Sequence, residues 1–124
     1  VWDRIDYTER VPQSQVHELY DRANLFVLPT RYEIFGMVLL EAMYFGLPVL
    51  TSLNGGSDLL VQDGVNGFVQ RGFDAKAYAR VIAELAADPQ RQETVGKAAH
   101  ETVERDFLWD RIAARMLAEY QKAL

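Results

Sequence analysis

The chain has 124 residues, 49% of them hydrophobic, which is the size of one ordinary domain with enough apolar side chains for a real core. Its net charge of -5, with no basic cluster along the chain, argues against a nucleic-acid surface or any polyanion held by general electrostatics. The absence of cysteine excludes a disulfide framework and a thiolate metal site, and no apolar run approaches the roughly twenty residues that cross a bilayer.

Val1 to Tyr7 alternates weakly and predicts a short strand entering a sheet, ended by Val11-Pro12. Gln13 to Ala23 then carries Val16, Leu19, Tyr20 and Ala23 at the spacing of an amphipathic helix, with Ser14 as its N-cap and Glu18 in the first turn. Leu25 to Leu28 is a short apolar run stopped by Pro29, the pattern of a strand buried on both faces. After the polar loop Thr30 to Glu33, Gly36 precedes MVLLEAMYF, which is rich in helix formers and closes at Gly46-Leu47-Pro48. A second apolar run, Pro48 to Leu50, follows at once. Strand, helix and strand make a βαβ unit, with its two strands parallel and joined by a right-handed crossover.

Ser57 to Val61 predicts a short helix started at Gly55-Gly56. Asp63-Gly64 and Asn66-Gly67 are turn pairs, and Phe68-Val69 between them and Arg71-Gly72 reads as a last short strand. From Asp74 onward the chain is helical. Tyr78, Val81, Ile82, Leu85 and Ala86 form one apolar stripe behind an Asp74 N-cap. Asp88-Pro89 starts another helix, whose stripe of Val95, Ala99 and Val103 is thin. Trp109, Ile112, Ala113, Met116, Leu117 and Tyr120 make the strongest stripe, on a final helix from about Asp110 to Lys122. This order predicts an α/β fold: a partial, Rossmann-like, doubly wound parallel sheet with a helical C-terminal tail, in one incomplete domain over residues 1–124. A chain that begins with Val1 and supplies so few strands reads as a piece of a longer polypeptide. Its open sheet edge predicts an isolated piece that is marginally stable or pairs through that edge.

Sheets of this kind bind ligands beyond the carboxyl ends of their strands, an edge that here carries Pro29 to Gly36 and Thr51 to Gly56. Glu33 and Glu41 are eight positions apart, but so are Glu93 and Glu101, which are most simply solvated helix carboxylates. Context separates the pairs. Glu33 lies at a strand end three residues before a glycine, and Glu41 is on the helix that leaves that glycine. The backbone N–H groups around Phe35, Gly36 and Met37 would form a helix N-terminus suited to an anion. The flanking carboxylates repel phosphate and accept hydrogen bonds from hydroxyls. A nucleotide sugar, carrying phosphate and hydroxyls together, satisfies both requirements. Asn54 and Ser57 are open to a structural or a ligand role, His17 and His100 read as surface residues, and no metal triad is available. Trp109 and the tyrosines at helical spacing read as core, or as an interface with an absent domain.

The stretch LPTRYEIFGMVLLEAMYFGLPVLTSLNGG, followed by DGVNGF, resembles the signature of the C-terminal domain of family-4 retaining glycosyltransferases of the GT-B fold, glycosyl transferases group 1. The match runs from about Val11 to Phe68. By that resemblance the domain binds a nucleotide-sugar donor, UDP or GDP based, without metal or cofactor. Glu33 to Glu41 is the E-x7-E element, with Glu33 acting at the catalytic site on donor-sugar hydroxyls and Glu41 holding the ribose hydroxyls. The backbone at Phe35, Gly36, Met37 and Val38 takes the sugar and the diphosphate, Thr30 and Arg31 line the nucleotide pocket, and Gly55 and Gly56 give room at its far wall. The resemblance further implies a cytoplasmic enzyme, peripheral at the inner membrane where its saccharide or lipid-linked acceptor is membrane-associated. Its mechanism would be a front-face displacement in which the donor phosphate helps deprotonate the acceptor hydroxyl.

Two departures limit the transfer. Where many members have Gly-Gly-x-Pro-Glu, this chain has Gly55-Gly56-Ser57-Asp58-Leu59, so a role of that acid does not pass to Leu59. The strands bearing the basic residues that neutralise the diphosphate, and the acceptor-binding N-terminal domain, are missing before Val1, so no transferase activity is expected of the fragment alone. Two rival readings are a sugar-nucleotide epimerase of the same fold and a non-catalytic receiver-like module. The latter wants a phosphate-accepting aspartate at a strand end, where this chain has Pro29-Thr30.

Overall fold

A computed structural model describes residues 2–123. In chain order its elements are α1 (Val16–Arg22), β1 (Phe26–Leu28), α2 (Met37–Tyr44), β2 (Val49–Ser52), α3 (Gly55–Leu60), β3 (Phe68–Gln70), α4 (Ala75–Ala86), α5 (Pro89–Asp106) and α6 (Trp109–Ala123). The strands lie in the order β1-β2-β3, all parallel, with Phe26 opposite Val49, Leu28 opposite Thr51 and Leu50 opposite Phe68. The expected βαβ unit is therefore present as β1-α2-β2, and α3 links β2 to β3.

Because side chains alternate along a strand, the sheet divides the core in two. Val49, Phe26, Leu28 and Val69 pack with Leu39, Ala42 and Met43 of α2 and with Ala99 and Val103 of α5. On the other face Leu50 and Phe68 meet Tyr78 and Leu85 of α4 and Val95 of α5. Helix α5 thus serves both clusters, although its stripe is thin in sequence. Small residues let it come close. A Cβ built on Gly96 would lie 2.1 Å from the Gly46 carbonyl oxygen, so the α5 backbone rests directly on the end of α2.

That end is sharply made. Gly46 has φ 73°, its N–H donates to the Met43 carbonyl at 3.0 Å, and the Leu47 N–H donates to the Ala42 carbonyl at 3.1 Å, the double closure of a Schellman motif. Pro48 then prevents continuation. Elsewhere the predicted cap holds for α4, where Asp74 accepts from the Lys76 N–H at 2.9 Å, and α5 starts at Pro89 as expected, with Asp88 accepting from the Arg91 N–H at 3.0 Å as its N-cap. The turn over 63–67 is tied down by Asn66, which is buried. Its Oδ1 accepts from the Gln62 N–H at 2.7 Å, and its Nδ2 donates to the Leu60 carbonyl and to Thr102 of α5.

Several expectations are corrected. The strand expected over 1–7 is absent from its described part, which instead holds a 3-10 turn at Trp2–Arg4, while Val1 lies outside the described residues. Ser14 is not an N-cap, because the segment starts as a 3-10 turn at Gln13–Gln15 and α1 begins after Gln15 without a side-chain cap. Leu19 is 47% exposed, whereas Val16, Tyr20 and Ala23 face inward. Strand β1 is not buried on both faces: it is an edge strand, and α4 and α5 cover Leu50 and Phe68 but leave Val27 exposed. His100 is not a free surface residue. Half-buried on α5, it bonds through Nδ1–H to the Tyr44 carbonyl, joining α5 to α2. The core reading of Trp109 and its stripe is also corrected, though not the interface alternative: α6 forms as expected but has no buried residue, with Trp109 83% and Tyr120 63% exposed.

Candidate functional site

The carboxyl edge of the sheet is organised by two buried hydroxyls at the end of β2. Thr51 and Ser52 are almost fully enclosed. Thr51 donates to the Leu28 carbonyl at 3.0 Å, and Ser52 donates to the Thr30 carbonyl. Each satisfies itself by holding the exit of the neighbouring strand, so the loop after β1 leaves the sheet in a fixed direction. Thr30 is spent within that loop, its Oγ1 donating to the Tyr32 carbonyl at 3.1 Å. Arg31 stands exposed with its guanidinium 5.2 Å from the centre of the Phe73 ring, a cation–π contact between the loops after β1 and β3.

The loop returns to the sheet edge at Gly36, whose φ of 83° supplies the left-handed turn that opens α2. The Gly36 N–H donates to Glu33 Oε1 at 3.1 Å, so the half-buried carboxylate sits over the start of the helix. Met37 and Val38 are the first two helical residues, and their N–H groups have no partner within α2. Both side chains are exposed, Met37 by 60%. Glu41, one turn on, is half-buried and accepts from the Tyr20 hydroxyl of α1 at 3.1 Å through Oε2.

The Gly55-Gly56 turn abuts the same loop. The Gly56 N–H donates to the Glu33 carbonyl at 3.1 Å, and a Cβ on Gly56 would lie 2.7 Å from the Phe35 carbonyl oxygen. The room at Gly56 is therefore filled by the loop that carries Glu33. At Gly55 a Cβ would meet the Glu33 and Ile34 carbonyls at 3.4 and 3.5 Å, close to ordinary contact. Asn54 and Ser57 take the structural option: each side chain bonds the other's backbone N–H at 2.9 Å in a capping box for α3. Leu59, to which the resemblance passes no acid role, is exposed.

Glu33, Phe35, Gly36, Met37, Val38, Gly55 and Gly56 are thus brought to one edge, flanked by Thr30 and Arg31, with Glu41 behind them on α2. Phe73 is an addition that sequence reading missed, while Thr51 and Ser52 were placed on this edge by the sequence but given no role there. The signal for those two was present, since a strand that ends in adjacent hydroxyls at a ligand edge must satisfy them locally. Among the described residues no group of three or more His, Asp and Glu side chains is placed to hold a metal.

A parallel sheet wrapped by helices, with acids and glycines gathered at its carboxyl edge, defines an α/β protein of the doubly wound class. Comparison with known proteins gives the family. The description "glycosyl transferases group 1" matches residues 1–102, and the chain belongs to that family. It is 36% identical over 122 residues to the D-inositol 3-phosphate glycosyltransferase of Streptomyces avermitilis, covering 98% of this chain and 26% of that protein. Among solved structures, sucrose-phosphate synthase from Thermosynechococcus elongatus superposes with a TM-score of 0.87 at 35% identity, over 98% of this chain and 30% of that one. Anabaena HepE in complex with UDP-glucose gives a TM-score of 0.71 at 29% identity, over 86% of this chain and 29% of that one. The chain has the fold of these GT-B glycosyltransferases and spans about a quarter to a third of the length of the relatives it matches.

Proposed function

We propose that the chain binds the nucleotide-diphosphate sugar in a glycosyltransferase that transfers the sugar with retention to a saccharide or lipid-linked acceptor. The observation that carries the reading is the pairing of Glu33 with the Gly36 N–H at the carboxyl edge, where one short segment offers both a hydroxyl acceptor and free helix-start N–H groups. The UDP-glucose complex of the HepE relative supports it. In this reading Glu33 accepts from donor-sugar hydroxyls at the reacting centre, Glu41 from the ribose, and the backbone from Phe35 to Val38 faces the sugar and diphosphate. Thr30 and Arg31 border the nucleotide, and Gly55 and Gly56 set the position of the opposing wall. Residues 1–124 act as one incomplete domain that works with an N-terminal domain of the same polypeptide. The protein's contribution to a front-face displacement is positioning and stabilisation of the departing diphosphate, with no resident cofactor. Its place of action is cytoplasmic, next to a membrane where the acceptor is lipid-linked.

The test is steady-state kinetics of the complete gene product. Glu41→Ala raises the donor KM by about tenfold, the scale of one lost hydrogen bond to a charged group, with a smaller change in kcat. Glu33→Ala depresses kcat for transfer more than it weakens UDP binding. Near wild-type kinetics for both variants would overturn the assignment.

A further inference from the structure

Glu41 is the one acid of the pair that is held by another side chain. Its Oε2 accepts from the Tyr20 hydroxyl at 3.1 Å, while Oε1 has no such tie. Tyr20 in turn is fixed from two sides: its ring stacks on Phe45 at 5.3 Å and 20°, and tilts against Phe26 at 6.0 Å. Burial, followed by the hydrogen bond and charge of Glu41, pushes the Tyr20 hydroxyl up to about 12, so it stays protonated and donating at any physiological pH. A glutamate on a helix surface otherwise spreads over several rotamers, and a ligand that needs one of them must select it.

The geometry points to Tyr20 as a positioning residue that locks one oxygen of Glu41 and leaves the other presented to the ribose hydroxyls of the donor. The inference rests on the ribose role given to Glu41 above. It assigns to α1, which lies outside the motif, a share in donor affinity through preorganisation rather than contact. Phenylalanine at position 20 would keep both ring contacts and remove the tie alone.

Calorimetric titration of the complete gene product with UDP and with its dideoxyribose counterpart tests this. Tyr20→Phe should weaken UDP binding by about 3- to 10-fold, the range for one net hydrogen bond, and leave the dideoxy ligand unchanged. In kinetics it should raise the donor KM with kcat held within about twofold. Glu41→Ala, which removes the acceptor, should abolish the preference for the ribose ligand, and adding Tyr20→Phe to it should cost that preference nothing further. Both ligands sample the same folded fraction, so partial unfolding cannot imitate a difference between them. Equal weakening of both ligands, or wild-type UDP binding by Tyr20→Phe beside an impaired Glu41→Ala, overturns the positioning role alone. Wild-type UDP binding by Glu41→Ala overturns the ribose reading and this inference together.

Discussion

The approach of Gly96 to Gly46 is the closest that an added methyl would meet at any glycine among the described residues, and it gives a sharp test. A methyl group on residue 96 would stand 2.1 Å from the Gly46 carbonyl oxygen, 3.1 Å from its carbonyl carbon and 3.3 Å from Pro48 Cδ. Restoring an ordinary 3.4 Å contact to the oxygen means separating two backbones by about 1.3 Å, that is 3.4 minus 2.1. Neither side gives easily. Gly46 is held by the two closing hydrogen bonds of α2 and by Pro48 after it, and α5 carries the buried Val95, Ala99 and Val103 that fill both clusters. Overpacking costs about 1–3 kcal/mol, and alanine returns about 1 kcal/mol of helix propensity over glycine. Because backbone meets backbone, the upper part of the overpacking range applies, and Gly96→Ala should destabilise by about 1–2 kcal/mol. For a chain of 124 residues that lowers the melting temperature by about 3–10 °C, read by far-ultraviolet circular dichroism. Gly72→Ala, with nothing within 4 Å of its added methyl, is the control and should melt within about 2 °C of wild type. A Gly96→Ala protein that melts at or above wild type would mean that propensity dominates and that α5 does not rest on α2 as described.

Two further outcomes follow from buried polar groups. Asn66→Ala removes the partner of the Gln62 N–H and the donor to Leu60 and Thr102, and should cost about 1–3 kcal/mol, seen as a lower urea midpoint at unchanged m-value. Tyrosinate absorbance on alkaline titration should show one late component with a midpoint of about 12 that Tyr20→Phe abolishes. The sign is fixed by the upward shift: the folded state favours the protonated hydroxyl, so this contribution to stability is complete below pH 10 and is lost as pH rises through about 12. The absence of any Tyr20-dependent component near 12 would refute it.

The βαβ unit and the loops at the carboxyl edge of its strands were legible because their signals are local: Pro29, Gly36, Gly46 and Pro48 punctuate the chain at positions where the backbone must stop or turn left-handed. Stripe strength misled. Helix α5 is central because its residues are small enough for a glycine-to-carbonyl approach, a property that counting large apolar side chains ranks low. Helix α6 has the larger side chains and buries none of them here, since an amphipathic pattern states that a face is apolar but not what covers it. The exposed side of β1 was illegible for the same reason: four apolar residues in a row do not say that the helices of one face will stop at the next strand. Nor did the chain order show that Tyr20, 21 positions before Glu41, would supply its hydroxyl, because α1 is brought to α2 by tertiary packing, with Tyr20 set against Phe26 and Phe45.

The Glu33 contact refines what the helix start can do. The anion-binding reading counts the Gly36 N–H among the donors for a phosphate, yet that N–H is already given to Glu33 Oε1. A phosphate placed there would both lose this donor and stand beside the carboxylate, where like charge repels at short range. A neutral hydroxyl placed against the other oxygen of Glu33 meets neither cost, and it gains a carboxylate already oriented by the backbone. In the proposed reading the segment would divide between two kinds of ligand group: hydroxyls at Glu33, and anionic oxygens one step further on, at the N–H groups of Met37 and Val38, which have no partner within α2. A donor in which sugar and diphosphate are joined through one glycosidic oxygen presents those two kinds of group side by side, which is the order in which Glu33 and the helix start follow one another along the proposed site.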